Sequence, residues 1–440
     1  MRTRTGRLIQ RTTCPNLRTG RDGRSSSRAW RLASFVLCLA GLALAPATAS
    51  AQYHDMGTPD TIYPLPTVWS GRYETGGPFV ALRALVYHQT VPLRPQVIAR
   101  RGLVDFDGSI TADLGGQLIF PPNSPPIIFP GTQRPGTFLG SGAVALRADD
   151  VGSGTYTPGF GITAGWRFVD GVTVEVDWWR LAEAKYSAAA SLVPPGLNPG
   201  PLLVDSFLFA PVFNFPIDYA GPPLKLALGN PGAAYGIWNG ASLMQTEFVQ
   251  RTQGIDLTVR IPVYQDDYVR CYGLIGPRFV WFWERFKWRT VSYDFSGFAS
   301  DKDVATYTNI VSNRMYGAHF GVGSEWNLKY GLSFSLDLRV APLIDVVKER
   351  ARYELGDKAI SAKRSKTEYE FVPELQANAN LWWYTPVEGL VVRFGYDFMA
   401  FFNTISSKEP VSFNYGSLDP HWDSTIRLLD GFNAGLAFIF

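Results

Sequence analysis

Asn433-Ala434-Gly435-Leu436-Ala437-Phe438-Ile439-Phe440 reads as an extended strand. Phe432, Ala434, Leu436, Phe438 and Phe440 share one face; Asn433, Gly435, Ala437 and Ile439 share the other. That is the period of two that a strand imposes on its side chains. The alternation continues to the final aromatic residue, where chain ends usually fray. Such a strand is expected to be locked between neighbours.

The same period recurs upstream. In Phe79–His88, Val80, Leu82, Ala84 and Val86 oppose Arg83. Phe160, Ile162, Ala164, Trp166 and Phe168 alternate with Gly161, Thr163, Gly165 and Arg167, and Val172, Val174, Val176 and Trp178 with Thr173, Glu175 and Asp177. Ile255, Leu257, Val259 and Ile261 oppose Asp256, Thr258 and Arg260. Tyr268–Phe286 is aromatic, with Arg270, Arg278 and Glu284 on its polar side. Tyr316–Trp326 alternates with glycines and His319, Leu332–Val340 with Asp337 and Arg339, Phe371–Trp383 with Glu374, and Val392–Phe398 with Arg393 and Asp397. Pro277 and Pro373 interrupt two of these strands and predict bulges or rims, since proline has no ladder donor.

The connections alternate as well. Those near 170, 266, 329 and 387 are short, and those near 120, 215, 297, 356 and 414 are long. Ten strands result, or twelve if 97–148 holds a hairpin. The prolines at 121, 122, 125, 126, 130 and 135 break that region, and 185–246 is a second Pro/Gly-rich stretch. Period alone fits a soluble sandwich, with its apolar face on a core, as well as a barrel with its apolar face on lipid. Alternating loop length favours the barrel: an all-β, transmembrane antiparallel barrel with short periplasmic turns and long outer loops.

The first residues agree with export. Residues 1–31 hold nine arginines and one acid, Asp22; Leu32–Ala45 is apolar; Ala49-Ser50-Ala51 is a small-x-small cleavage site. The expected organisation is a cleaved signal peptide over 1–51, a periplasmic lead-in over 52–78 and the barrel over 79–440, in the outer membrane. The full chain has 41 basic and 38 acidic residues; without 1–51 it has 32 and 37. The basic excess therefore belongs to the leader, and charge gives no reason to expect a nucleic-acid partner. Cys14 and Cys38 fall within the leader, leaving Cys271 and no disulfide framework.

Within the barrel, the polar face predicts a lumen lined by Arg83, Arg167, Glu175, Asp177, Asp256, Arg260, Arg270, Arg278, Asp337, Arg339, Glu374, Arg393 and Asp397. These side chains either set the selectivity of a pore or pair with one another and fill it. A folded-in loop at 89–156 or 185–246 is a third way to close it. The tryptophans 178, 179, 281, 283, 288, 326, 382, 383 and 422 gather toward strand ends, as headgroup-level anchors do. No catalytic, cofactor-binding or metal set is expected: His54, His88, His319 and His421 are scattered, and Ser141 has no evident histidine partner. The pair Glu175/Asp177 shares a face as a protease dyad would, but arginine pairing accounts for it more simply.

Several segments resemble known families. The closing pattern Asn433, Gly435, Phe438, Phe440 resembles the C-terminal assembly signal of outer-membrane barrels. Tyr369-Glu370-Phe371-Val372-Pro373-Glu374-Leu375, Gly395-Tyr396-Asp397-Phe398, Tyr316–Val322 and Pro158–Trp166 resemble, in segment order over 79–440, a planctomycete-type β-barrel porin family. They are similar also to the Legionella-type pore-forming major outer-membrane proteins. The resemblance implies a porin that passes small polar solutes, with outer-membrane lipid and the barrel-assembly machinery as partners; an oligomer is left open. The alternative is a structural or surface-binding barrel with an occluded lumen that works through its long outer loops.

Overall fold

In the computed structural model, the described residues are 76–440, apart from most of 106–143, most of 192–240, and 267, 294–296, 360 and 388. The expected signal peptide and nearly all of the lead-in lie outside them.

Ten antiparallel strand positions make the wall: β1 Gly77–Gln89, β2 Tyr156–Arg167, β3 Thr173–Leu181 resuming as Ala184–Ser191, β4 Leu243–Gln265 and β5 Val269–Val291. They continue with β6 Val304–Lys329, β7 Leu332–Leu355, β8 Ser361–Tyr384, β9 Leu390–Glu409 and β10 His421–Ile439. Each pairs with the next, and both segments of β3 pair with β4 in succession. The ring closes where β1 meets β10, in register from Phe79 opposite Ile439 to Gln89 opposite Leu429. Closure removes the sheet edges that an open sheet exposes.

The side-chain period decides which way each strand faces. On β10, Leu436 is 50% exposed and Ala437 only 7%. Val80, Ile162, Val176, Leu257, Phe320, Leu338, Leu381 and Phe394 are likewise exposed, while the polar face is buried. A soluble protein inverts this arrangement; a closed barrel with an apolar outer belt is a transmembrane barrel. No helix among the described residues is long and apolar enough to cross a membrane.

The four short connections fall as the sequence predicts, after β2, β4, β6 and β8. The opposite end differs. The long connection expected near 356 is short: β7 runs to Leu355, β8 starts at Ser361, and only 356–360 lie between. Around the connection expected near 414, β9 likewise runs up to Glu409 and β10 starts at His421. The Pro/Gly stretch 185–246 surrenders both ends to β3 and β4. These segments turn polar because the strands outrun the apolar belt, so a change in composition marks the edge of the lipid rather than the edge of the strand.

The hairpin in 97–148 exists, but it does not join the wall. Val97–Asp105 pairs with Thr137–Leu139, Val144–Arg147 and Phe207–Phe209 in a small separate sheet. Hence the barrel has ten strands, not twelve. The prolines sit where pairing pauses. β4–β5 pairing skips from Asp256–Arg278 to Val259–Ile275 around Pro277, and β8–β9 pairing begins at Glu374, beside Pro373.

Candidate functional site

The inward side chains of the ring stack in layers that can be followed along β5: Arg270 and Tyr272, then Arg278, then Val280 and Phe282, then Glu284, then Phe286 and Trp288. At the short-turn end lies a recess of about 220 Å³. Eleven of the thirteen predicted lumen residues line it: Arg83, Arg167, Glu175, Asp177, Asp256, Arg260, Arg270, Asp337, Arg339, Arg393 and Asp397. The other two, Arg278 and Glu374, make its roof.

These charges are largely spoken for by one another. Arg83 bonds Asp177, which also accepts from Thr163 Oγ1 at 2.6 Å. Arg260 bridges Glu175 at 2.9 Å and Asp337 at 3.2 Å, and lies 5.0 Å from the Tyr272 ring centre. Tyr272 donates to Asp337 at 2.6 Å. Arg339 reaches Asp337 at 3.5 Å. Arg393 donates to Asn380 at 2.9 Å, stacks 5.0 Å over Trp382 and stands 4.0 Å from Asp397. Asp397 instead accepts from Tyr87 and, at 2.8 Å, from Asn433. In the roof, Arg278 holds Asp256 at 3.0 Å, Glu374 at 2.5 Å and Gln376 at 2.7 Å. A buried charge needs such partners, because desolvation otherwise costs several kcal/mol.

Above the roof the interior is apolar. Leu85, Tyr87, Trp179, Leu181, Val280, Phe282, Met315, Ala341, Leu343, Val372, Met399, Phe401 and Leu429, drawn from eight of the ten strands, form one buried cluster. Trp179 fits because β4 presents Gly254 to it; a Cβ there would lie 2.5 Å from the indole nitrogen. The Phe282 and Phe401 rings meet edge-on with centres 5.0 Å apart. Their strands, β5 and β9, are four positions apart around the ring, so this contact crosses the interior. One layer higher, Arg427 on β10 binds Glu284 on the diametrically placed β5, with Nη2 to Oε2 at 2.8 Å. Glu284 also accepts from Gln250 at 2.9 Å, and Arg427 donates to Thr404 at 3.1 Å.

The outer mouth is filled by the connections. Ile98, Ala99, Leu146, Ala148, Val151, Leu208, Ile237, Trp238, Val411 and Leu418 pack on inward Tyr186, Phe248, Phe286, Trp288, Tyr307 and Tyr353 of the wall. Trp238 and Trp288 lie 4.6 Å apart. Tyr307 donates to the Pro410 carbonyl at 2.9 Å, and Gln96 and Val411 exchange bonds at 2.8 and 3.0 Å. Both loop regions predicted as candidate plugs thus contribute packed residues to the cap.

Trp178, Trp281, Trp283, Trp326 and Trp383 point outward as expected of interface anchors, but Trp179, Trp288 and Trp382 point inward. Adjacent tryptophans cannot share a strand face, so 178/179 and 382/383 each split. Of the closing-strand residues, Asn433 is buried against Asp397, Gly435 faces Arg83 across the seam, and Phe438 and Phe440 are exposed. Glu284 was visible as a polar residue of its strand, but its partner Arg427 was not. Arg427, Leu429, Gly431, Asn433 and Gly435 continue one alternating face, so the period would have found it had the strand been extended upstream. Among the described residues no metal-binding group of side chains occurs. His319 is buried beside Thr258 at 3.2 Å, without a carboxylate in hydrogen-bond contact.

The described residues thus form a ten-stranded transmembrane β-barrel, with a packed layer at mid-height above a charged recess. No protein-family model matches it, and no curated protein sequence does. Among solved structures, the outer-membrane protease OmpT of Escherichia coli aligns at 9% identity over 83% of this chain and 96% of its own, with a TM-score of 0.38. A Pseudomonas aeruginosa FadL homologue aligns at 7% identity over 83% and 90%, TM-score 0.23, and an anion-selective porin from Comamonas acidovorans at 9% over 83% and 99%, TM-score 0.13. Likeness this weak assigns no activity.

Proposed function

We propose that this is an outer-membrane barrel whose lumen is closed in its resting form and which acts through its capped outer end, as a structural or surface-binding protein. The observation that carries the reading is the Arg427–Glu284 bond between opposite strands, directly above the Phe282–Phe401 contact. Barrels of about eight strands are filled by side chains, and this ten-stranded ring follows that pattern. A cap packed from three separate connections gives the outer end a fixed surface, which a binding role requires.

A second reading, passive diffusion of small polar solutes, agrees with the resemblance to the planctomycete-type porins. It draws on the charged recess at the short-turn end. Under it, the cap and the two layers below would have to move. Swelling of vesicles containing the purified protein in small neutral sugars distinguishes the two. A closed barrel gives the rate of protein-free vesicles; swelling at porin-like rates overturns the proposal. The charge pairing of Glu175 and Asp177 with arginines also supports a non-catalytic role for that acid pair.

A further inference from the structure

The outward face of β5, β6 and β7 changes chemistry at the top of the apolar belt. Phe279, Tyr316 and Ile344 lie side by side in one paired row. Beyond that row the outward positions on β5 are Trp281, Trp283, Arg285, Lys287 and Arg289. On β7 they are Val346, Lys348, Arg350, Arg352 and Glu354. Between them β6 presents Arg314, then Ser312, Ile310, Thr308 and Thr306. Seven cations therefore face one carboxylate.

Register makes this a built arrangement. Ile310 sits between Arg285 and Arg350, and Thr308 between Lys287 and Arg352. Two cationic rails, two strand spacings or roughly 10 Å apart, flank a strip bearing hydroxyls, and Arg314 closes the end nearest the belt. Arg285 is held by Glu247 at 2.7 Å and Arg352 by Glu354 at 2.5 Å. Lys287, Arg289, Arg314, Lys348 and Arg350 have no carboxylate at ion-pair distance among the described residues. The opposite side of the barrel lacks the feature: beyond Val86 and Phe432, the outward positions of β1 and β10 are His88, Asp430, Leu428, Ile426 and Ser424.

We propose that this strip binds the phosphorylated headgroup of an outer-leaflet lipid, a glycolipid bearing phosphomonoesters. The inference rests on the outer-membrane reading above. Like charges this close repel unless a counter-anion sits among them. Phosphate is the anion that both arginine and lysine take well, and the Thr306 and Thr308 hydroxyls add donors. The strip starts where the apolar belt stops, and Trp281 and Trp283 mark headgroup depth. A lipid seated there keeps its acyl chains on Phe279, Tyr316 and Ile344 while its phosphates reach the rails. Free phosphate gains nothing from that adjacency.

The test titrates the purified full-length protein, in uncharged detergent, with a bisphosphorylated glucosamine-disaccharide lipid, its dephosphorylated form, and inorganic phosphate. Binding is read by tryptophan fluorescence and native mass spectrometry. The phosphorylated lipid should bind at least about tenfold tighter than either alternative, the scale of one charge-assisted contact. Arg314→Gln/Lys348→Gln/Arg350→Gln should remove that preference. Arg314→Lys/Lys348→Arg/Arg350→Lys should keep it, as should Lys408→Gln on β9, away from the strip. Equal binding of both lipid forms, equal binding of free phosphate, or an unaffected triple-Gln variant overturns the proposal. Folding is checked by heat-modifiable gel migration. Wild-type protein that inserts into vesicles but shows no preference for the phosphorylated lipid removes this proposal alone; wild-type protein that fails to insert removes the membrane reading with it.

Discussion

The Arg427–Glu284 bond allows a quantitative test of the packed interior. The two side chains are 3% and 4% exposed and belong to strands on opposite sides of the ring. Arg427→Met leaves the Glu284 carboxylate with Gln250 as its remaining partner. Glu284→Leu leaves the guanidinium with Thr404 and the Ile405 carbonyl. Removing one member of a buried pair costs about 3–5 kcal/mol, because the other charge remains desolvated; replacing both with apolar groups is often near neutral. The single variants should therefore each lose about 3–5 kcal/mol, Glu284→Leu toward the lower end. The double variant should lose far less than their sum, leaving a coupling of at least about 2 kcal/mol. Reversible urea unfolding in lipid vesicles, followed by tryptophan fluorescence, measures all four corners of the cycle. Additivity within about 0.5 kcal/mol would mean that the two side chains do not touch, and that the interior at this level is wet and open.

Two further predictions concern other levels. Asn433→Ala removes the 2.8 Å bond to the buried Asp397 carboxylate and should cost about 1–3 kcal/mol in the same unfolding assay. Leu436→Arg puts a charge within the exposed apolar belt and should cost about 2–4 kcal/mol in vesicles, whereas a loss under about 0.5 kcal/mol would remove Leu436 from the lipid face.

Much of the wall was legible because the two-residue period is enforced on both sides, by lipid outside and by packed polar groups inside. Arg83, Asp177, Asp337 and Arg393 could be assigned to one face from their strands alone. What escaped was where strands stop and what crosses between them. Beyond the belt no lipid demands apolar side chains, so Lys348, Arg350 and Arg352 on β7 look like loop residues although they are strand. Contacts such as Phe282–Phe401 join residues 119 apart in sequence, and nothing local in either strand announces the other. The inward turn of Trp179, Trp288 and Trp382 was hidden because a tryptophan serves equally well as an interface anchor or as a lumen filler. Only strand parity separates the two roles.

The central claim is that layered side chains close this barrel at mid-height, and single-channel recording in planar bilayers tests it most directly. Purified wild-type protein should insert without producing conductance steps, while Phe282→Ala/Phe401→Ala/Arg427→Ala, which strips the crossing contacts, should give brief openings if the cap also yields. Stable conductance steps from the wild-type protein, clear of the background of protein-free membranes, would contradict the account.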